Sequence, residues 1–472
     1  MTDQGNFRLD DSPHEECGLI GIFAPDEDVA RMAFFGLFAL QHRGQEAAGI
    51  AVSNGHSIRL HKDVGLVSQV FSPAALAPLQ GHYAIGHTRY STTGSPTSNN
   101  AQPFLIETRF GPIAVAHNGN LVNAAALRQE LLNNGVGLSS TSDTEVIVQM
   151  LASASGSDWF ERIKNVMGKW EGAYSLVILS REGVYIMRDP WGFRPLSVGR
   201  LPSGGHAAAS ESGALQTMGC IGIREVKPGE VIELSNTALR VFQALKPIEP
   251  SAFCTFEHVY FSRPDSIWDG LNVHNVRQRL GIALAREYPV EADVVIPVPD
   301  SSTPAAIGFS MESGITYNDG FIKNRYIGRT FIEPTDSLRR QGIALKFNVI
   351  NENVQDKRVV MIDDSIVRGN TTNPLINLLR GAGAKEVHVR ITCPPIKHPC
   401  YMGVDMGTYA DLIGHNMSVR EMCDHIGADS LEFLSLDGMM KAIGSKNGYC
   451  NACFTGEYPI AIPHGSVKTG FE

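Results

Sequence analysis

Residues 359–372 read VVMIDDSIVRGNTT. An apolar run ends in two carboxylates, and a loop carrying hydroxyls and a glycine then opens a stretch with helical spacing. Leu375, Leu378 and Leu379 continue that stretch, Pro374 falls in its first turn, and GAG at 381–383 stops it. In open α/β sheets, ligands bind at the carboxyl ends of the strands. Backbone N–H groups at a helix start favour anions, and Arg368, Gly369, Asn370, Thr371 and Thr372 add donors or allow close approach. Asp363 and Asp364 suit ribose hydroxyls or hydrated Mg²⁺. Two adjacent aspartates alone usually mean an acidic turn; the whole run is much rarer.

Outward from this run, DVVIPVP (293–299), KRVVMID (357–363) and KEVHVRIT (385–392) read as short buried strands. Val276, Leu280 and Leu284 lie at helical spacing. Strands alternating with helices predict a mainly parallel sheet from about residue 270. Upstream, ALKPIEPSAF (244–253) loses periodicity and brings two prolines, which places a domain boundary there. Before it the pattern differs. CGLIGIFA, HYAIGHTRY, PIAVAHNGN, YSLVILS and GVYIMRD alternate or run apolar between Gly-rich turns, with helical patches at 29–41 and 144–151. This half reads as α+β with much antiparallel sheet. The expected divisions are 1–16, 17–245, 250–460 and a tail, 461–472.

The 472 residues favour two or three domains, and a net charge of −9 argues against a coat for nucleic acid or an anionic membrane. No apolar stretch approaches the roughly 20 residues that span a bilayer. The acidic first sixteen residues lack the apolar core of a signal peptide. A cytoplasmic, reducing location is the expectation, and eight cysteines there point to metal or catalysis rather than cross-links.

Cys17 alone would be an ordinary core cysteine. Its company changes that: QHRGQEAAGI (41–50), GHTRYSTTG (86–94), HNGN (117–120) and SDTE (142–145) are polar clusters at strand ends. With CGLIGI they resemble the glutaminase domain of N-terminal-nucleophile amidotransferases. A thiolate is a strong nucleophile toward an amide, and an α-amino group titrates near pH ~8, so the nucleophile's own amine serves as base. That demands removal of Met1–Glu16 as a propeptide. The resemblance implies that Arg89 and Asp143 hold the α-carboxylate and α-amino group of glutamine, and that Asn118 and the Gly119 N–H form the oxyanion hole.

The run at 359–372 is similar to the phosphoribosylpyrophosphate (PRPP) signature of type I phosphoribosyltransferases. The resemblance implies that Asp363 and Asp364 engage the ribose diol and Mg²⁺. It implies too that the loop Ser365–Thr372 cradles the 5′-phosphate and that Ser301 in VPDSSTPAA lies near the metal. Residues 323–346 carry six Lys/Arg against two acids. Beside a phosphate motif this reads as a basic loop closing over pyrophosphate, with Lys323, Arg325, Arg329 and Lys346 as its cations.

Cys450 and Cys453 form a CxxC, with Cys254 and Cys400 far off in sequence. Four thiolates suit zinc or an iron–sulfur cluster, and spacing does not separate the two. Their contexts, FCTFE, PPIKHPC and CNACFTG, resemble the cluster-bearing branch of the glutamine PRPP amidotransferase family, which implies a [4Fe–4S] cluster. That family implies glutamine and PRPP as substrates and ammonia passed between two sites to give 5-phosphoribosylamine. It implies also feedback by purine nucleotides of the AMP, GMP or ADP type, and a homo-oligomer, commonly a homotetramer. Two alternatives stand beside it. A glutaminase coupled to another acceptor, such as an adenylating domain, would need a Gly/Ser-rich ATP loop that the sequence lacks. A phosphoribosyltransferase-like nucleotide-sensing RNA regulator is disfavoured by the acidic balance.

Overall fold

Along strand Gly18–Phe23, Ile20 and Ile22 join one buried cluster while Leu19 and Phe23 join another, as the two-residue period of a strand requires. This strand is central in a seven-stranded antiparallel sheet. From edge to edge the order is Ile221–Glu225, Ser197–Arg200, His206–Ala209, Gly18–Phe23, Tyr83–Arg89, Ala47–Ser53 and Ile58–Val64. A six-stranded antiparallel sheet packs on it: Leu239–Gln243, Glu230–Leu234, Val184–Arg188, Gly172–Leu179, Gly111–Leu121 and Phe104–Thr108. Leu19, Phe23, Ile85, Val177, Leu179 and Ile186 fill the space between the sheets. Gly21 is bare because a Cβ there would lie 3.0 Å from Val177 and 3.1 Å from Val184. Helices Val29–Ala39 and Ser212–Thr217 cover the outer face of the first sheet. Ala124–Asn133, Asp143–Ser153 and Trp159–Met167 cover that of the second. The result is a helix–sheet–sheet–helix sandwich.

The computed structural model describes residues 17–90, 98–234, 239–324, 346–444 and 448–463. The expected propeptide, the end of the GHTRYSTTG motif, Arg325, Arg329 and most of the C-terminal tail lie outside them.

In the C-terminal half, Val294–Pro297, Arg358–Asp363, Glu386–Ile391 and Ser430–Phe433 form a parallel sheet in that order. Val359–Ile362 are fully buried, so the middle of the strand is continuously apolar rather than alternating. Helix Val273–Glu287 buries Val276, Leu280 and Leu284 as the spacing predicts. Helix Thr372–Gly381 carries Pro374 in its first turn, where a missing N–H costs nothing. The last strand and its flanking helices, Val419–Ile426 and Leu436–Ile443, were not foreseen.

The halves meet along an extended seam. Ala252 N–H donates to Trp191 O at 2.8 Å, and Cys254 N–H to Phe193 O at 3.3 Å. Deeper in, Arg43 pairs with Glu211 at 2.6 Å and with Glu257 of the C-terminal half at 2.7 Å, all three fully or almost fully buried.

Candidate active sites

In the N-terminal half the strand ends deliver the expected residues to one place. Cys17 precedes the central strand, and Arg89 ends its neighbour. Asn118 and Gly119 lie near the end of the long strand Gly111–Leu121, and Asp143 starts helix Asp143–Ser153. Cys17, Arg89, Asn118 and Asp143 are 7, 3, 1 and 5% exposed. The Cys17 thiol donates to Tyr90 O at 3.6 Å. Burial pushes this thiol up to about 11, against the pull of that hydrogen bond and of Arg89, so it rests protonated and needs a base. Burial depresses the Arg89 guanidinium, while Cys17, Glu46 and Asp143 counter the shift, which puts a cation and carboxylates around the thiol.

Asp143 is buried, which alone would raise its carboxyl. His117 and the N–H groups of Leu121 and Thr144 outweigh this and hold it below the usual range. The Leu121 N–H donates to Asp143 Oδ2 at 3.1 Å and His117 Nδ1 lies 3.6 Å away. The side-chain nitrogen of Asn118 is buried with no hydrogen-bond partner among the described residues. An unmet buried donor is what an oxyanion hole supplies. Gly119 has φ +145°, and a Cβ on it would fall 2.0 Å from Ala173 O, so only glycine fits.

Sequence reading missed the residues that hold these groups. Gln102 accepts from His117 N–H at 2.7 Å and donates to Thr144 Oγ1 at 3.0 Å, tying the strand of Asn118 to the helix of Asp143. Arg43 Nε donates to Cys17 O at 3.4 Å. Burial opposes the charge on Glu211, yet His42 and Arg43 hold its carboxyl far below the ordinary range. The arginine of QHRG was visible in the sequence; its distant carboxylate partners were not.

In the C-terminal half Asp363 ends its strand and Asp364 follows, buried. Ser301 Oγ donates to Asp364 Oδ2 at 2.6 Å, Ser302 Oγ to Asp363 Oδ1 at 3.1 Å and Ser365 Oγ to Asp364 Oδ1 at 2.8 Å. Two strand-end loops therefore meet through hydroxyl–carboxylate bonds, an all-oxygen donor set of the kind Mg²⁺ prefers. Gly369 sits at φ +78° in the loop, Asn370 is exposed, and Thr371 and Thr372 lead into the helix. Arg368 Nη2 stands 2.9 Å from where a Cβ on Gly407 would be, and its charge acts on Asp411. Lys323 Nζ donates to Asp300 Oδ2 at 3.2 Å, a partner the sequence reading did not name, and Lys346 lies 5.7 Å from the Phe347 ring centre. Strands Phe321–Lys323 and Phe347–Val349 pair as the stem of the basic segment.

The four cysteines gather from three distant segments. Phe253–Cys254 pairs in parallel with Tyr449–Cys450, setting Cys254 opposite Cys450. Cys453 O accepts the N–H groups of Lys397 and His398, which brings in Cys400. Burial, with the neighbouring thiols, pushes Cys254 and Cys450 up to about 12 and Cys453 well above its ordinary value. Neighbouring thiols of this kind suit a group that binds thiolates and compensates their charge. Among the described residues, no group of three or more His, Cys, Asp or Glu side chains stands ready to hold a metal ion.

A buried thiol under the charges of Arg89 and Asp143, joined to a two-carboxylate loop on a parallel sheet, defines a glutamine amidotransferase coupled to a phosphoribosyltransferase. Comparison with known proteins agrees. Residues 87–217 match the glutamine amidotransferase domain family. The amidophosphoribosyltransferase of Synechococcus elongatus is 50% identical over 459 residues, 96% of this chain and 93% of its own. That of Rattus norvegicus is 44% identical, covering 95% of this chain and 98% of its own. The structure of a glutamine PRPP amidotransferase from B. subtilis, complexed with ADP and GMP, superposes with a TM-score of 0.91 at 44% identity, over 97% of this chain and 100% of that one. The chain belongs to the amidophosphoribosyltransferase family. It is an enzyme that transfers the amide nitrogen of glutamine to PRPP, the first step of purine nucleotide synthesis. Among the described residues no helix is long and apolar enough to cross a membrane.

Proposed function

We propose that Cys17 is the glutaminase nucleophile and that its own α-amino group, exposed by removal of residues 1–16, is the general base. The thiol proton passes to that amine as sulfur attacks the carboxamide carbon. The oxyanion that develops is met by Asn118 Nδ2 and the Gly119 N–H, with Arg89 and Asp143 holding the α-groups of glutamine. Collapse to a thioester releases ammonia with the amine returning its proton, and water then frees glutamate. The ammonia travels inside the protein to C1 of PRPP and displaces pyrophosphate; a closed path keeps it unprotonated and nucleophilic.

At the second site Asp363 and Asp364 address the ribose diol, and Ser365–Thr372 the 5′-phosphate. Lys323, Arg325, Arg329 and Lys346 belong to the segment that covers pyrophosphate. Mg²⁺ held near Ser301, Asp363 and Asp364 would neutralise charge on the departing pyrophosphate. Cys254, Cys400, Cys450 and Cys453 would hold a [4Fe–4S] cluster with a structural or oxygen-sensing role. The division into residues 17–245 and 250–460, a homotetramer, a cytoplasmic location and feedback by purine nucleotides complete the reading. The B. subtilis complex with ADP and GMP supports the last of these.

The observation that carries the reading is that Cys17, Arg89, Asn118 and Asp143 are all buried, with Arg89 and Asp143 acting on the Cys17 thiol and the Asn118 amide nitrogen without a partner among the described residues. The test is intact mass of the purified protein with phosphoribosylamine formation from glutamine and from ammonia on the same sample. An active chain that still begins at Met1 would remove the amine base. Anaerobic purification should give a brown protein with four irons per chain; stoichiometric zinc in a colourless protein would refute the cluster.

A further inference from the structure

The turn that carries the oxyanion donors is not held by the N-terminal half alone. One wall is Ala173 O, the atom that forbids a side chain at Gly119. The other comes from the C-terminal half, as the short strap Tyr401–Met402–Gly403. Asn120 Nδ2 donates to Tyr401 O at 2.9 Å. Arg194, fully buried, donates to Met402 O from both Nε and Nη2 at 2.9 Å. Met402 itself packs against Ala173 and Phe193. Gly403 then lies flat on Gly119: a Cβ on Gly403 would stand 2.9 Å from Gly119 Cα and C and 3.1 Å from its O. The φ of Gly403, +99°, is itself one that side chains avoid. Two glycines thus meet back to back across the seam: Gly403 is bare because Gly119 lies against it, and Gly119 because Ala173 O does.

We propose that Gly403 is a positioning residue for glutamine hydrolysis, contributed by the half that binds PRPP. It pins the Cα and carbonyl of Gly119, and through that Cα sets the preceding peptide, whose N–H aims at the oxyanion. This rests on the assignment of Asn118 and Gly119 as the oxyanion hole. Donors to a developing charge are effective only when held within about 0.5 Å of the productive geometry. A methyl on Gly403 cannot be absorbed by a flexible neighbour, since the atoms it meets are backbone. The Gly119 peptide must move by about that much. Asp143 is joined to the same strand only through the Leu121 N–H, two residues beyond Gly119, whereas a methyl on Gly403 meets the backbone of Gly119 itself, so the loss falls chiefly on the transition state.

The test uses the full, processed chain with Gly403→Ala. Glutamine-dependent kcat should fall roughly 10–100-fold, with KM for glutamine within about 3-fold and ammonia-dependent turnover unchanged. The γ-aldehyde analogue of glutamate, which adds the Cys17 thiol across its carbonyl to give a tetrahedral adduct, should bind weaker by the same factor. Glutamate, which makes no such adduct, should bind as before. Asn120→Ala, which removes the strap's hydrogen bond without adding bulk, should give a smaller loss of about 3–10-fold in the same pattern. It decides the matter if Gly403→Ala does not fold. Asn118→Ala separates the two claims. If it leaves glutamine turnover intact, the oxyanion assignment itself fails. If it abolishes turnover while the strap variants match the parent, or lose the ammonia reaction equally, the positioning role is overturned and the assignment stands.

Discussion

The two sites of this chain solve opposite problems. The side chains of the glutaminase site, Cys17, Arg89, Asn118 and Asp143, sit on strand ends and a helix start and are at most 7% exposed. In the C-terminal half Asp364, Ser365 and Thr372 are buried, but Asp363, Ser301, Arg368, Thr371 and Lys323 are half-exposed and Asn370 is exposed. Glutamine presents one small amide, and its thioester must be shielded, so a rigid dry pocket suits it. PRPP is large and highly charged. Its site has to stay wet and accessible until the ligand itself completes it, which is work for loops on a rigid sheet.

The sharpest way to break this contrast is Cys17→Ala. Phosphoribosylamine formation from glutamine should fall roughly 10⁴-fold or more while the ammonia reaction persists. Equal loss of both would mean the sites are not separate. Asp363→Asn cuts the other way. Both nitrogen sources should lose about 100-fold in phosphoribosylamine yield, with the PRPP-independent release of glutamate preserved. Glu257→Gln probes the seam, because it leaves the Arg43 guanidinium short of a buried charge from the opposite half. A loss of about 3 kcal/mol in urea unfolding is expected, and a wild-type midpoint would show that the halves do not lean on this pair.

The smallest effect concerns pH. The carboxyls of Glu211 and Asp143 are both depressed in the fold. Their contribution is therefore complete above the ordinary carboxylate range, and it is lost as pH falls below about 4 through the folded values. Glu211→Gln should be less stable than the parent at pH 7, with the two urea midpoints converging toward pH 3. Parallel curves would deny the linkage.

Much of both sites was legible from local pattern. An apolar run ending in DD and followed by a Gly-containing helix start can be read within fourteen residues, since strand, loop and helix are set by neighbours in the chain. CGLIGI, HNGN and SDTE are equally local. Their supports were not. Nothing near Arg43 announces Glu257, more than two hundred residues away, and Gln102 in an unremarkable AQPF gains its role only because three elements cross there. The charge of Arg368 also reaches Asp411, a neighbour the local pattern does not announce.

By itself, then, the sequence determined which residue types stand at each strand end, and with them the class of chemistry, because periodicity, turn residues and motif order are properties of adjacent positions. The net charge and the cysteine count set the class of partner but not their use. Only the tertiary structure decided that Cys254 stands opposite Cys450, with Cys453 bonded to the segment that leads to Cys400. It alone also decided that a buried ion network spans both halves, and that Gly403 lies against Gly119. Those are contacts between surfaces far apart in the chain, and close packing, which leaves no room for even one methyl group there, is what selects them.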